Sequence, residues 1–286
     1  MQVGIQLPVQ SQSTYYVERW EPTAGRDELA AVARAADDAG FDYVAVCDHV
    51  RIPADRADAM STTWYDTVAT LGWLAAITTR IRLLSHVYVP AYRHPLATAK
   101  AFATLDELSG GRVVLGIGAG DVEAEFDLLG IPFAERGRLT DEAIDAIRAA
   151  WADDQPVQRP HPGPIPIWVG GSSPAALRRA AQRGDGWLPQ GTTKADMPAA
   201  IARIKELRGG NDAPFTFAAI ARPMYVGEPQ WDVGKPTLAG NADRLRQELA
   251  DYEAMGVDQI QVRLRSRTHE ELIDQLSLFA MEVIEG

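Results

Sequence analysis

The sequence has one cysteine, Cys47, in 286 residues, so neither an internal disulfide nor a cysteine-rich metal centre can form. No apolar run reaches the roughly 20 residues that a membrane-spanning helix requires. The first residues, Met1-Gln2-Val3-Gly4-Ile5-Gln6-Leu7, lack the basic start and long apolar stretch of a secretory signal and read as a strand. Positive charge is scarce: 28 Lys and Arg stand against 39 Asp and Glu. The resulting net charge of −11 disfavours nucleic acid and anionic membranes as partners. His49, His86, Asp121 and Glu125 lack the His-X-His or His-Glu-X-X-His spacing of a metal site, so no metal is expected. No Gly-X-Ser-X-Gly nucleophile elbow is present. Cytoplasmic residence and a small-molecule substrate are the expectations that remain. Cys47 itself lies in an apolar run and reads as a small core residue.

What is there is a repeated unit: an amphipathic helix, a glycine, then a short β-branched or aromatic run. Gly25 to Ala39 carries Leu29, Val32, Ala33 and Ala36 on one face; Gly40 suits a left-handed C-cap, and Tyr43-Val44-Ala45-Val46-Cys47 follows as a strand. Met255-Gly256-Val257-Asp258-Gln259-Ile260-Gln261-Val262 repeats the pattern near the far end. Strands are expected at Val3–Leu7, Tyr43–Cys47, Arg82–Val89, Arg112–Ile117, Ile165–Val169, Gly186–Pro189, Thr216–Tyr225 and Gln259–Leu264. Helical patterns separate most of them, and the last helix opens on a capping box of Thr268 with Glu271. Eight strands alternating with helices, with no composition shift, predict an α/β fold: one (β/α)₈ TIM barrel over residues 1–286. Pro156 to Pro166 carries five prolines and reads as a rigid connector. Arg51 to Thr63 and Gly227 to Ala239 read as longer loops on the catalytic face.

In such a barrel the residues just past each strand build the site. Asp48-His49 follows the second strand, where a histidine can exchange a proton near neutral pH and the adjacent carboxylate can orient it. Ser85-His86 interrupts the apolar third strand, which points to a bulge or a nearby ligand, although a satisfied core histidine would look the same. Gly116-Ile117-Gly118-Ala119-Gly120-Asp121 allows close backbone approach to a ligand; Asp121 breaks the dinucleotide fingerprint. Gly170-Gly171-Ser172-Ser173-Pro174 makes a helix N-terminus suited to phosphate. Gln190 and Gly191 stand at the mouth of the sixth strand, and Trp187 reads as barrel packing.

Arg93-His94-Pro95 with Ala99-Lys100, then Ala103-Thr104-Leu105-Asp106-Glu107-Leu108-Ser109-Gly110-Gly111-Arg112 and Leu115 to Gly120, resemble the luciferase-like monooxygenase superfamily. Pro166-Ile167-Trp168-Val169-Gly170-Gly171 and Gly184-Asp185-Gly186-Trp187-Leu188-Pro189 match its second half in order and spacing. The resemblance implies a barrel, usually dimeric, that binds FMN or the deazaflavin coenzyme F420. Asp48-His49-Val50-Arg51-Ile52-Pro53 looks most like the F420-dependent branch, whose matching histidine lies beside the deazaflavin ring with a proton-transfer role. The same branch implies a non-proline cis peptide at His86–Val87 behind the ring and the coenzyme phosphate on the Gly170–Ser173 turn. His49, Asp48 and Asp121 are the candidate catalytic residues. Ser85, His86, Val87, Ala119, Gly120, Gly170, Gly171, Ser172, Ser173, Gln190 and Gly191 are the candidate coenzyme-binding residues. The expected activity is hydride transfer between F420 and a small organic substrate. The rival readings are an FMN-dependent monooxygenase fed by a separate reductase, a non-catalytic flavin-binding relative and a metal-dependent barrel hydrolase. Three departures stand out: His86 replaces a usual small residue, Asp121 occupies a position of varied role, and the connector from Trp151 to Ile165 is short.

Overall fold

Strands buried on both faces must be apolar throughout, and short runs such as Tyr43-Val44-Ala45-Val46 satisfy that condition without alternation. The computed structural model describes residues 1–14, 17–152 and 159–286. Its first half runs β1 (Gln2–Gln6), α1 (Arg26–Asp38), β2 (Tyr43–Val46), α2 (Ala57–Met60), α3 (Thr67–Ile77) and β3 (Arg82–Ser85). Next come α4 (Pro95–Ser109), β4 (Val113–Ile117), α5 (Glu123–Leu128), α6 (Arg136–Ala152) and β5 (Ile167–Gly170). There follow α7 (Pro174–Arg183), β6 (Gly186–Leu188), α8 (Met197–Arg208), β7 (Thr216–Ile220), β8 (Met224–Val226) and β9 (Leu238–Gly240). The chain ends with α9 (Ala242–Ala254), β10 (Gln259–Val262) and α10 (His269–Phe279).

Eight strands close into a parallel barrel in the order β1-β10-β7-β6-β5-β4-β3-β2, the expected (β/α)₈ TIM barrel. The seam pairs Val3 with Ile260 and Ile5 with Val262. Inside, Tyr43, Ala45, Leu84, Val114, Trp168, Leu188 and Ala218 form one packed plug, with Tyr43 and Trp168 meeting edge to face at 6.1 Å. That plug fills the barrel below the strand ends, and a large cavity lies at the mouth above it. The helices lay their apolar stripes on the outer face; Leu29, Val32 and Ala33 of α1 and Leu272, Leu276 and Phe279 of α10 are all buried. Thr268 caps α10 by accepting from the Glu271 backbone N–H, but the Glu271 carboxylate takes the Arg267 N–H rather than closing the expected capping box.

Most strands end within two residues of expectation, but the third and the seventh end well short of it. The third stops at Ser85 because the chain bulges at a cis His86–Val87 peptide, then touches β4 again only through Tyr88 and Ile117. The seventh stops at Ile220; Pro223 has no N–H to continue a ladder, and Met224–Val226 instead pairs parallel with β9 as a two-stranded sheet. The loop after β2 contains the short α2. The proline-rich connector lies in part outside the described residues, and from residue 159 to 166 it has no helix or strand.

The bulge depends on close backbone contact. A Cβ at Gly116 would stand 2.0 Å from the Ser85 carbonyl oxygen, whereas a Cβ at Gly72, inside α3, meets nothing within 4 Å. Gly116→Ala should therefore lose about 3 kcal/mol of stability, and Gly72→Ala should gain about 0.5–1 kcal/mol. Urea unfolding of the two variants measures both; equal effects would contradict the packing described.

Candidate active site

A cavity of about 600 Å³ opens at the C-terminal ends of the strands. Of the candidate residues, Asp48, His49, His86, Val87, Ala119, Gly120, Asp121, Gly170, Gly171, Ser172, Ser173 and Gln190 line it. Ser85 and Gly191 do not. Ser85 is fully buried, its hydroxyl donating to the Gly116 carbonyl and accepting the Gly116 N–H, so it pins the bulge from behind.

The geometry corrects the expected pairing of Asp48 with His49. The buried Asp48 carboxylate takes both Arg93 terminal nitrogens, at 2.6 and 2.8 Å, and the Val89 N–H at 2.8 Å. Adjacent side chains on an extended segment diverge, which sends Asp48 toward the loop after β3 while His49 faces the cavity. The carboxylate that holds His49 is Glu125 on α5, with Nδ1 donating to Oε2 at 2.8 Å. Glu125 also accepts the Val50 and Arg51 N–H groups and the Tyr92 hydroxyl. Burial works against its charge, but these donors, led by His49, outweigh it and hold the carboxyl below its ordinary range. Burial and the facing carboxylate push the Tyr92 phenol up. With Nδ1 donating to Glu125, a neutral His49 carries its lone pair on Nε2, and the ring makes no other hydrogen bond among the described residues. Trp64 packs against the ring at 4.3 Å.

The His86 ring is buried, accepting from Gln190 Nε2 at 2.7 Å and donating through Nδ1 to Gln261 Oε1 at 2.8 Å. Burial lowers its pKa to about 4, so the ring is neutral at pH 7. Val87 projects into the space that Gly118 and Gly170 leave, where added Cβ atoms would fall 2.4 and 2.6 Å from its methyl groups. Asp121 stands exposed at the rim with no hydrogen bond or ion pair among the described residues.

At the other end of the cavity Ser173 caps α7, Ser172 bonds to Thr192, and the buried Trp187 indole donates to the Gly171 carbonyl at 2.7 Å. Trp187 thus holds the glycine turn as well as packing. Two arginines line this end. Arg179 is committed to Asp141 at 2.6 Å and the Gly137 carbonyl. Arg136 stacks on Phe133 at 3.9 Å and makes no ion pair among the described residues, so its charge is uncompensated there. Sequence reading did not single out Arg136, Arg179, Gln6 or Gln261, and it considered Glu125 only as a metal ligand. For Glu125 a signal existed, since it shares the buried side of α5 with Phe126. Among the described residues no group of three or more His, Cys, Asp or Glu could hold a metal ion, and no helix is long and apolar enough to cross a membrane.

Residues 1–233 match the model of the luciferase-like monooxygenase family. The chain belongs to that family. An uncharacterized protein of Mycobacterium tuberculosis is 33% identical, the match covering 66% of this chain and 75% of the relative. A 5,10-methylenetetrahydromethanopterin reductase of Methanopyrus kandleri is 30% identical over 63% of this chain and 56% of its own length. A solved F420-dependent secondary alcohol dehydrogenase, in complex with an F420-acetone adduct, superposes with a TM-score of 0.76 over 99% of this chain and 98% of its own. At 18% identity that last likeness concerns the fold.

Two outcomes test the electrostatics. Glu125→Gln places an amide NH₂ among four donors and should cost about 1–3 kcal/mol at pH 7. Because the folded carboxyl sits below its ordinary value, its contribution is full above the ordinary carboxylate range and fades as pH falls through the folded value. The gap between wild type and variant, measured by urea unfolding, should therefore narrow toward pH 3. For His86 the sign is the same although the charge type differs: an unfolded histidine near 6.5 binds its proton before the folded one at about 4, so acid between those values favours unfolding. Its ring resonances in ¹⁵N NMR should stay constant from pH 8 to pH 5.

Proposed function

We propose that the chain is an F420-dependent oxidoreductase that transfers a hydride between the deazaflavin and a small organic substrate. The observation that carries the reading is the cavity itself, with a carboxylate-oriented His49 on one wall and the His86–Val87 bulge on another. The 30% identity to the Methanopyrus kandleri reductase, together with the fold shared with a solved coenzyme F420-dependent tetrahydromethanopterin reductase of that organism, supports the coenzyme class. One domain over residues 1–286, a homodimeric assembly and cytoplasmic residence belong to the same proposal.

The residues present fit a deazaflavin. Val87, pressed into the gaps at Gly118 and Gly170, offers an apolar rest for one face of a flat ring. Ala119 and Gly120 border it without bulky side chains. Ser172, Ser173 and the α7 N-terminus, with the uncompensated Arg136, would hold an anionic tail. A bound deazaflavin supplies a hydride donor or acceptor in this setting.

The protein's own work is orientation and proton management. Glu125 fixes the His49 ring by taking its Nδ1–H, so Nε2 is the atom that accepts or returns a proton. Asp48 and Arg93 lock the loop after β3 to the strand that carries His49. Trp64 shields the imidazole edge from bulk water.

Equilibrium titration with F420 and with FMN, read by tryptophan quenching, tests the reading. F420 should bind and FMN should not; tight FMN binding without F420 binding would move the chain to the flavin monooxygenases. His49→Ala should leave F420 affinity within about two-fold while slowing turnover by roughly 10²–10⁴. Unchanged turnover would remove His49 from the proton path.

A further inference from the structure

A row of polar side chains crosses the cavity with one direction, starting at Gln190, whose backbone N–H donates to Ser172, and ending at Ser11. Gln190 donates to His86, and His86 donates to Gln261. Gln261 Nε2 reaches Gln6 Oε1 at 3.5 Å, and Gln6 Nε2 donates to Cys47 Sγ at 3.0 Å and to Ser11 Oγ at 3.4 Å. A neutral imidazole has one donor and one acceptor, so it transmits a single sense along the row, and the carboxamides on either side of it turn together or not at all. Gln10 reaches the same end point by a separate route. Its carbonyl takes the Cys47 N–H at 3.3 Å, its amide donates to the Leu7 carbonyl, and the same nitrogen donates to Ser11 Oγ at 2.9 Å.

Ser11 therefore receives two amide donors, which occupy the lone pairs of its oxygen. The hydroxyl proton is its remaining capacity. The protein acceptor beside it is the Cys47 thiol, kept protonated by burial, and sulfur is a weak acceptor. Ser11 lines the cavity, and an antiparallel bridge joins it to Trp64, the residue packed on the His49 ring. We propose that Ser11 is a specificity-determining residue whose hydroxyl donates to the carbonyl oxygen of an uncharged substrate.

The charge state follows from what surrounds that oxygen site. The charged side chains nearest this site are already met: Arg263 by Glu21 at 3.3 Å, Asp48 by Arg93, and Glu125 by the His49 ring and three further donors, while Asp121 stands apart at the exposed rim. An ionic substrate would find no uncompensated partner among them. Met60, Trp64, Ile220 and Pro223 supply apolar surface for the rest of the molecule. The inference rests on the reading of this cavity as a coenzyme-and-substrate site.

The test titrates cyclohexanone and methylenecyclohexane, which match in shape but differ in the oxygen, into the full chain and its Ser11→Ala variant, followed by ligand-observed NMR. Ser11→Ala should weaken cyclohexanone roughly three- to ten-fold and leave methylenecyclohexane unchanged. ¹⁵N NMR of the wild-type protein should show His86 as the Nδ1–H tautomer. Equal effects on both ligands, no effect on either, or an Nε2–H tautomer would each overturn the proposal. F420 titration of the same two proteins reports separately on the coenzyme. Lost F420 binding in wild type alongside an intact cyclohexanone effect would sink the coenzyme reading and leave Ser11 in place.

Discussion

Four hydrogen-bond donors converge on the Glu125 carboxylate, and the cavity mouth is organised around that convergence. The donors come from two separate parts of the chain: His49, Val50 and Arg51 after β2, and Tyr92 after β3. Glu125 itself belongs to the helix after β4. A neutral acceptor could not satisfy so many donors, and an ionised carboxylate buried without them would be costly. The site therefore forms as a unit, with the charge stabilised by the groups it positions. Asp48 repeats the device one residue earlier, tying the same strand end to Arg93 and the Val89 backbone.

Below these two anchors, packing decides where space is left. The plug of Tyr43, Trp168, Leu84, Leu188 and their neighbours closes the barrel interior, and missing side chains open it again locally. Gly116 lets the Ser85 carbonyl come close, and Gly118 with Gly170 admits Val87. The floor of the cavity is a consequence of those absences as much as of any group that is present. His86 fits the same logic. A buried imidazole is tolerated because Gln190 and Gln261 satisfy both of its nitrogens, and burial in turn keeps it neutral.

Charge is distributed unevenly across the cavity. On the His49 wall Asp48 is paired with Arg93 and Glu125 is met by four donors, whereas the Ser173 end keeps Arg136 without a carboxylate partner among the described residues. A ligand with an anionic tail and a neutral reacting end matches that asymmetry. On the proposed reading, that asymmetry would orient the ligand before any specific contact is made.

The barrel was legible in the order of residues because its determinants are local: apolar runs of strand length, amphipathic helices, glycines at helix ends and the Thr268 cap. The position of the bulge was legible too, through the polar Ser85-His86 pair and the family resemblance around it. His49 and the Gly170–Ser173 turn reached the cavity because residues just past a barrel strand have nowhere else to go. The partners were not legible. His49 and Glu125 are separated by 76 positions, and His86 and Gln261 by 175, so only closure of the barrel brings either pair within hydrogen-bonding distance. Asp48 beside His49 in sequence was the natural choice of orienting group, yet neighbours along an extended chain point apart. Sequence therefore determined which strand ends carry chemistry; tertiary structure decided which carboxylate serves which base, because that choice depends on direction and distance across the barrel mouth.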